Sequence, residues 1–270
     1  MITVEFDILN LCNLNCWYCY NHEIYDTKMI VSKQKLDLIF KRFRNSKHDI
    51  QLDILGGEPT LHPKFDYIMN LVNITDTIKE CGIYTNGLYK RISVPNKEFI
   101  LNFSYHVHMN EHQEKLWFRN LDSAISEFGK EHIEIILIIH NFNKFHTKYE
   151  HVIDLYNDKV NISINPVHVK NHSIEYCNIK TNHSHIYRIN NEFLSYYDLV
   201  QRGLNRFKGK KCLITGFHLY ADGTISANCC GQPHDLAKED FFRELKLKEI
   251  ECPFDSCDTP TKLECTWFKD

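Results

Sequence analysis

Three cysteines, Cys12, Cys16 and Cys19, fall within eight residues in "CNLNCWYC" (12–19). Thiolates at such short spacings bind borderline metals and iron–sulfur clusters. A structural zinc site normally takes four protein ligands and is closed. Three thiolates suit a four-iron cluster with one iron left for another ligand. They also suit a zinc knuckle completed by a distant Cys or His. The triplet comes directly after an alternating apolar segment, so it lies on a loop at a strand end. Such a loop can wrap three corners of a cluster where a straight helix or strand cannot.

A second stretch, "LGGEPTLHP" (55–63), follows another strand-like segment. Gly56 and Gly57 permit close backbone approach and positive φ at a strand's C-terminal end. A plain strand-to-helix turn needs no such pair followed by Glu58.

The elements that must carry these two turns alternate along the chain. Strand patterns cover 2–9, 49–55, 78–85, 98–107, 133–140 and 160–166. Helical spacing covers 33–43, 64–73, 112–128 and about 143–157. The run "IEIILIIH" is nearly continuous in apolar residues, as in a parallel sheet covered on both faces. About six βα steps predict an α/β fold with a parallel sheet wrapped by helices. After Pro166 the pattern breaks. Residues 168–185 read as a loop or insertion and 190–204 as a helix. "FHLYADGTISANCC" (217–230) reads as a β-hairpin turning at Asp222-Gly223. A boundary is expected near 205, between a domain at 1–204 and a small cysteine-rich extension at 205–270.

Whole-chain composition is that of an ordinary globular protein, with 43% hydrophobic and 25% charged residues in 270. The formal charge of −3 gives no bulk basic field for nucleic acid or an anionic membrane. The local run "RFKGKK" (206–211) reads as a solvated loop. The first residues enter a strand with no basic-then-apolar leader, and no apolar run approaches a membrane span. The expectation is a soluble, cytoplasmic protein, with no peptide-recognition domain ahead of the first strand. Eleven cysteines in that setting point to metal or redox work rather than disulfides.

Taken together, "CNLNCWYC" and "GGEP" resemble the radical S-adenosylmethionine (SAM) superfamily, over roughly residues 1–200. Tyr18 stands in that family's aromatic position before the third cysteine. The resemblance implies a partial (β/α)6 TIM-like barrel. It implies a [4Fe-4S] cluster on Cys12, Cys16 and Cys19, with SAM chelating the fourth iron. It implies reductive cleavage of SAM to methionine and a 5′-deoxyadenosyl radical, which abstracts hydrogen from an organic substrate. By the same resemblance Gly56, Gly57 and Glu58 line the methionine end of SAM. Asn86, Ser104 and His106 are candidates for further SAM contacts.

The tail carries Cys212, Cys229, Cys230, Cys252, Cys257 and Cys265. It resembles the SPASM or twitch region of radical SAM enzymes, which binds an auxiliary iron–sulfur cluster. The expected ligands are Cys212, either Cys229 or Cys230, Cys252 and Cys257, with Cys265 in reserve. The spacing after Gly223 is one residue longer than the usual pattern, and structural zinc is the alternative. Cys81 is expected in the core.

His106, His108, His140 and His168 fall at or near strand ends, where such a barrel opens to its ligands. The expected partners are a small-molecule or peptide substrate and an external one-electron donor such as a flavodoxin or ferredoxin. Peptide or protein side-chain modification is favoured over sugar or nucleoside chemistry. The rival class is a non-enzymatic protein stabilised by zinc or an iron–sulfur cluster.

Overall fold

A computed structural model describes residues 1–19, 28–139, 142–166, 187–189, 192–194, 201–204, 206, 208–209, 211–227, 234–247 and 249–251. Six strands run parallel in sequence order: β1 (Ile2–Asp7), β2 (Ile50–Leu55), β3 (Ile78–Thr85), β4 (Glu98–Tyr105), β5 (Ile133–Ile139) and β6 (Asn161–Pro166). Each pairs with the next. On the far side of β1 the sheet continues through β10 (Gly216–Leu219), β11 (Thr224–Ala227) and β12 (His234–Asp235). β10 is parallel to β1, and the two strands beyond it are antiparallel.

The period-2 pattern of the strands divides the sheet into two faces. Ile2, Val4 and Phe6 of β1, Leu101 and Phe103 of β4, and Ile135 and Leu137 of β5 are buried in one core. Against it lie α1 (Lys33–Arg44), α2 (Phe65–Asn73), α3 (Glu111–Phe128) and α4 (Phe142–Tyr156). α1 starts where the Ser32 side chain accepts from the Lys35 N–H, and α3 starts in an Asn110/Gln113 capping box. α1 buries Leu36, Ile39, Phe40 and Phe43, which lie on one face at helical spacing. Cys81 is buried in this core, as expected.

The opposite face is concave and mixes acidic, amide and apolar side chains. Residues of β1 to β6, including Glu5, Asp53, Tyr84, Asn102, Ser104 and Asn165, line a cavity of about 600 Å³.

One count and one element need correction. The connection from β3 to β4, residues 86–97, carries no helix; the sequence reading placed none there and yet counted a βα step. Gly87 and Pro95 disfavour a helix in so short a link. Residues 192–194 were expected in a helix but form β8 (Glu192–Leu194), paired antiparallel with β7 (Tyr187–Ile189). Of the rest of the 168–204 reading, residues 201–204 are a helical end and a turn, and residues 168–185, 190–191 and 195–200 lie outside the described residues.

The hairpin expected at 217–230 is present as β10 and β11. Gly223 in its turn has φ +90°, which other residues adopt at a cost. The hairpin is hydrogen-bonded to β1, not set apart from the sheet. α5 (Phe241–Glu244) brings Phe242 against Phe43 of α1 at 5.1 Å between ring centres. Arg42 of α1 reaches Asp240 at 3.4 Å. A short pair, β9 (Lys211–Leu213) with β13 (Glu249–Glu251), completes the described tail. No described helix is long and apolar enough to cross a membrane.

Candidate active site

The cysteine loop leaves the sheet just past β1 and is closed at its base. The Asn10 N–H donates to the Met29 carbonyl, and the Asn10 side chain accepts from the Met29 N–H at 2.7 Å. Within the loop the Cys19 N–H donates to the Cys16 carbonyl, folding the three cysteines into one turn. Cys16 is buried, Cys19 half-buried and Cys12 exposed.

The Gly56–Gly57 turn, just past β2, lies directly under the strand that feeds this loop. The Gly57 N–H donates to the Leu9 carbonyl at 2.9 Å and the Glu58 N–H to the Leu11 carbonyl at 2.7 Å. Gly56 has φ +134°, and a Cβ there would stand 2.0 Å from the Leu9 oxygen. A Cβ on Gly57 would stand 2.1 Å from the Leu11 oxygen. The pair therefore admits the protein's own backbone, and this contact sets the height at which Cys12 leaves the sheet. The expectation was of ligand approach alone.

Glu58 is fully buried. One carboxylate oxygen accepts from the Thr60 N–H, the Thr60 hydroxyl and the Thr85 hydroxyl. The other accepts from the Asn86 N–H at 2.7 Å. Burial raises its pKa above the ordinary value, and these donors pull it down. Glu58 thus fastens the end of β2 to the end of β3. From there the Asn86 amide reaches the loop, donating to Asn13 at 2.7 Å and to the Cys12 sulfur at 3.5 Å. The Leu14 N–H also donates to Cys12, at 3.4 Å.

Past β4, His106 and His108 approach the second cysteine. The Cys16 sulfur lies 3.3 Å from His108 Nε2 and 3.8 Å from His106 Nδ1. The Tyr18 hydroxyl lies 2.9 Å from His106 Nδ1 and 3.3 Å from His108 Nδ1. Ser104 sits apart: its side chain lines the cavity while its carbonyl accepts from the Trp117 indole.

The donor set fits an iron–sulfur cluster. Burial, with Cys12 and Cys19 alongside, pushes the Cys16 thiol up to about 12, so a cationic centre is needed to hold it as thiolate at neutral pH. Among the described side chains the one other cysteine is Cys81, in the core, so none of them brings a fourth thiolate to the three. Cys16, His106 and His108 also form a group whose ligand atoms lie within 4.8 Å of one another, compatible with a single metal ion.

A family model described as the Radical SAM superfamily matches residues 7–100. The match spans the cysteine loop, the Gly56–Gly57 turn and Asn86. A GTP 3′,8-cyclase of Lactiplantibacillus plantarum is 29% identical over 99 residues, covering 35% of this chain and 30% of that protein. A GTP 3′,8-cyclase of Staphylococcus epidermidis is 32% identical over 91 residues, covering 32% of this chain and 27% of the relative. The chain thus aligns with less than a third of each relative's length.

Solved structures with bound S-adenosylmethionine share the fold. Streptococcus suis SuiB bound to S-adenosylmethionine is 15% identical with a TM-score of 0.55, covering 89% of this chain and 64% of that one. Native anSMEcpe with bound AdoMet and the Cp18Cys peptide is 14% identical with a TM-score of 0.53, covering 90% and 78%.

Of the residues singled out from sequence, Cys12, Cys16, Cys19, Tyr18, Gly56, Gly57, Glu58, Asn86, His106 and His108 come together. Cys212 lies in β9. Cys177, Cys229, Cys230, Cys252, Cys257, Cys265, His140 and His168 lie outside the described residues. Sequence reasoning missed Asn13 and Thr85, which carry no signal beyond their place beside a motif residue. It also missed His218, which reaches Asp7 at 2.9 Å and Glu5 at 3.4 Å across the β1–β10 pair.

Proposed function

We infer that this protein is a radical SAM enzyme whose chemistry sits at the C-terminal ends of β1 to β4. The observation that carries this reading is the three-cysteine loop locked by backbone hydrogen bonds onto the Gly56–Gly57 turn, with no fourth described thiolate beside it. A [4Fe-4S] cluster on Cys12, Cys16 and Cys19, with SAM on the fourth iron, supplies one-electron cleavage of SAM and a 5′-deoxyadenosyl radical that takes hydrogen from an organic substrate. Gly56, Gly57 and Glu58 hold the loop at a fixed height beside the methionine end of SAM. Asn86 holds Cys12, Tyr18 and His106 stand on the Cys16 side, and Ser104 faces the cavity that receives the substrate. One electron per cleavage comes from an external donor such as a flavodoxin or ferredoxin.

A peptide or protein side chain is the favoured substrate; the cavity has room for one, and the fold neighbour anSMEcpe holds a peptide. A sugar, nucleoside or other small molecule is the alternative, in keeping with the name of the GTP 3′,8-cyclase relatives. Residues 205–270 form a twitch-like region whose Cys212, Cys229 or Cys230, Cys252 and Cys257 hold an auxiliary iron–sulfur cluster, in a cytoplasmic protein. The test is 5′-deoxyadenosine release from SAM under dithionite by anaerobically reconstituted protein. Wild type releases it and Cys16→Ala does not. Equal release by both overturns the reading.

The Cys16, His106 and His108 group favours a second reading, a non-enzymatic protein stabilised by zinc. Zinc without iron or sulfide in anaerobically prepared protein selects it.

A further inference from the structure

β4 ends at Tyr105, and the next four residues make a tight turn in which the Met109 N–H donates to the His106 carbonyl. Val107 and Met109 are buried at 2% and 3% exposure. These two apolar anchors fix the turn to the core, and the alternating imidazoles, His106 and His108, face the cysteine loop.

The Tyr18 hydroxyl also lies within hydrogen-bond reach of Cys16, and one proton assignment satisfies the contacts it makes with both imidazoles. His106 carries its proton on Nδ1 and donates to the Tyr18 oxygen at 2.9 Å. Tyr18 in turn donates to His108 Nδ1 at 3.3 Å. His108 then carries its proton on Nε2, the atom 3.3 Å from the Cys16 sulfur. The second ring nitrogen of a ligand-shell histidine is commonly fixed by its partner in this way.

The geometry points to His108 as a positioning residue that donates Nε2–H to the Cys16 thiolate, in a tautomer fixed by Tyr18 and His106, and so raises the reduction potential of the cluster held there. This rests on the cluster assignment made above. A donor to a ligating sulfur withdraws negative charge and favours the reduced, more negative state of the cluster, and hydrogen bonds to the sulfurs are among the main determinants of such potentials. The balance is one electron from the external donor into the oxidised cluster, with no proton transferred and no bond broken in the protein. The device is separate from the Asn86 and Leu14 donors, which act on Cys12.

The experiment is an electron-paramagnetic-resonance redox titration of anaerobically reconstituted full chain, with iron and sulfide measured on every sample. A variant lacking the tail cysteines serves as background, so that the signal read is that of the amino-terminal cluster. The variants are His108→Phe, which keeps a ring, His108→Leu, a smaller apolar side chain, and His108→Gln, which restores an N–H donor. At the wild-type midpoint, the ratio of reduced to oxidised cluster falls about tenfold in the apolar variants, equivalent to about 59 mV for one electron. His108→Gln recovers most of that ratio. A wild-type ratio in either apolar variant with iron retained overturns the inference and leaves the cluster assignment standing. A wild type with no [4Fe-4S] signal overturns both.

Discussion

Gly57→Ala probes the contact on which the cysteine loop rests. The new Cβ would stand 2.1 Å from the Leu11 oxygen, 2.4 Å from the Leu11 carbonyl carbon and 2.8 Å from the Asn10 carbonyl carbon. All three are backbone atoms, so no side-chain rotation relieves the clash. Ordinary contact begins near 3.4 Å, so residues 10–11 must retreat by about 1.3 Å. That retreat stretches the 2.7 Å bond from Glu58 N–H to the Leu11 carbonyl beyond hydrogen-bond length. The lost hydrogen bond costs about 1 kcal/mol and the overpacking about 2 kcal/mol, for a total near 3 kcal/mol. For a chain of this size that lowers the midpoint of thermal unfolding by roughly 6–12 °C. Differential scanning calorimetry of the metal-free protein measures it. Reconstituted iron per chain should fall in parallel, because the same retreat displaces Cys12. An unfolding midpoint within about 1 °C of wild type, with full iron loading, would refute the claim that Gly57 admits the loop backbone.

Two further predictions concern contacts at either side of the loop. Burial alone would lower the His218 pKa, but Asp7 and Glu5 outweigh it and raise the value from 6.5 to about 9. The raised value means that the stability His218 contributes is fully present below about pH 6.5 and is lost as pH rises through about 9. Unfolding free energies from urea titrations should therefore decline across that window by up to about 3 kcal/mol, and His218→Gln should flatten the decline; an equally steep profile in the variant contradicts the clamp. Asn86→Ala removes the amide donors to Cys12 and Asn13. Its cluster should lose iron to a chelator several-fold faster than wild type, and equal rates would deny Asn86 a hold on the loop.

The parallel sheet was legible because its strands alternate or run apolar over stretches bounded by helical spacing, as in Leu36, Ile39, Phe40 and Phe43 of α1. The link from β3 to β4 showed no helical spacing, but nothing local shows that Asn86 has to reach Cys12. The three-residue strands β7 and β8 are too short for a period to register. At the site, the cysteine spacing and the glycine pair declared a ligand-bearing turn. Which backbone the glycines admit depends on β1 lying beside β2, a long-range pairing. The same holds for His218, an unremarkable residue of an alternating strand until β10 joins the edge of β1 and sets it over Asp7.

The central claim is that Cys12, Cys16 and Cys19 hold a four-iron cluster. Iron and sulfide per chain, measured on anaerobically reconstituted wild type beside the Cys12/Cys16/Cys19 triple Ala variant, tests it most directly. The account predicts that the variant holds about four irons and four sulfides fewer than wild type, one cubane's worth. Equal iron and sulfide in the two proteins would contradict it.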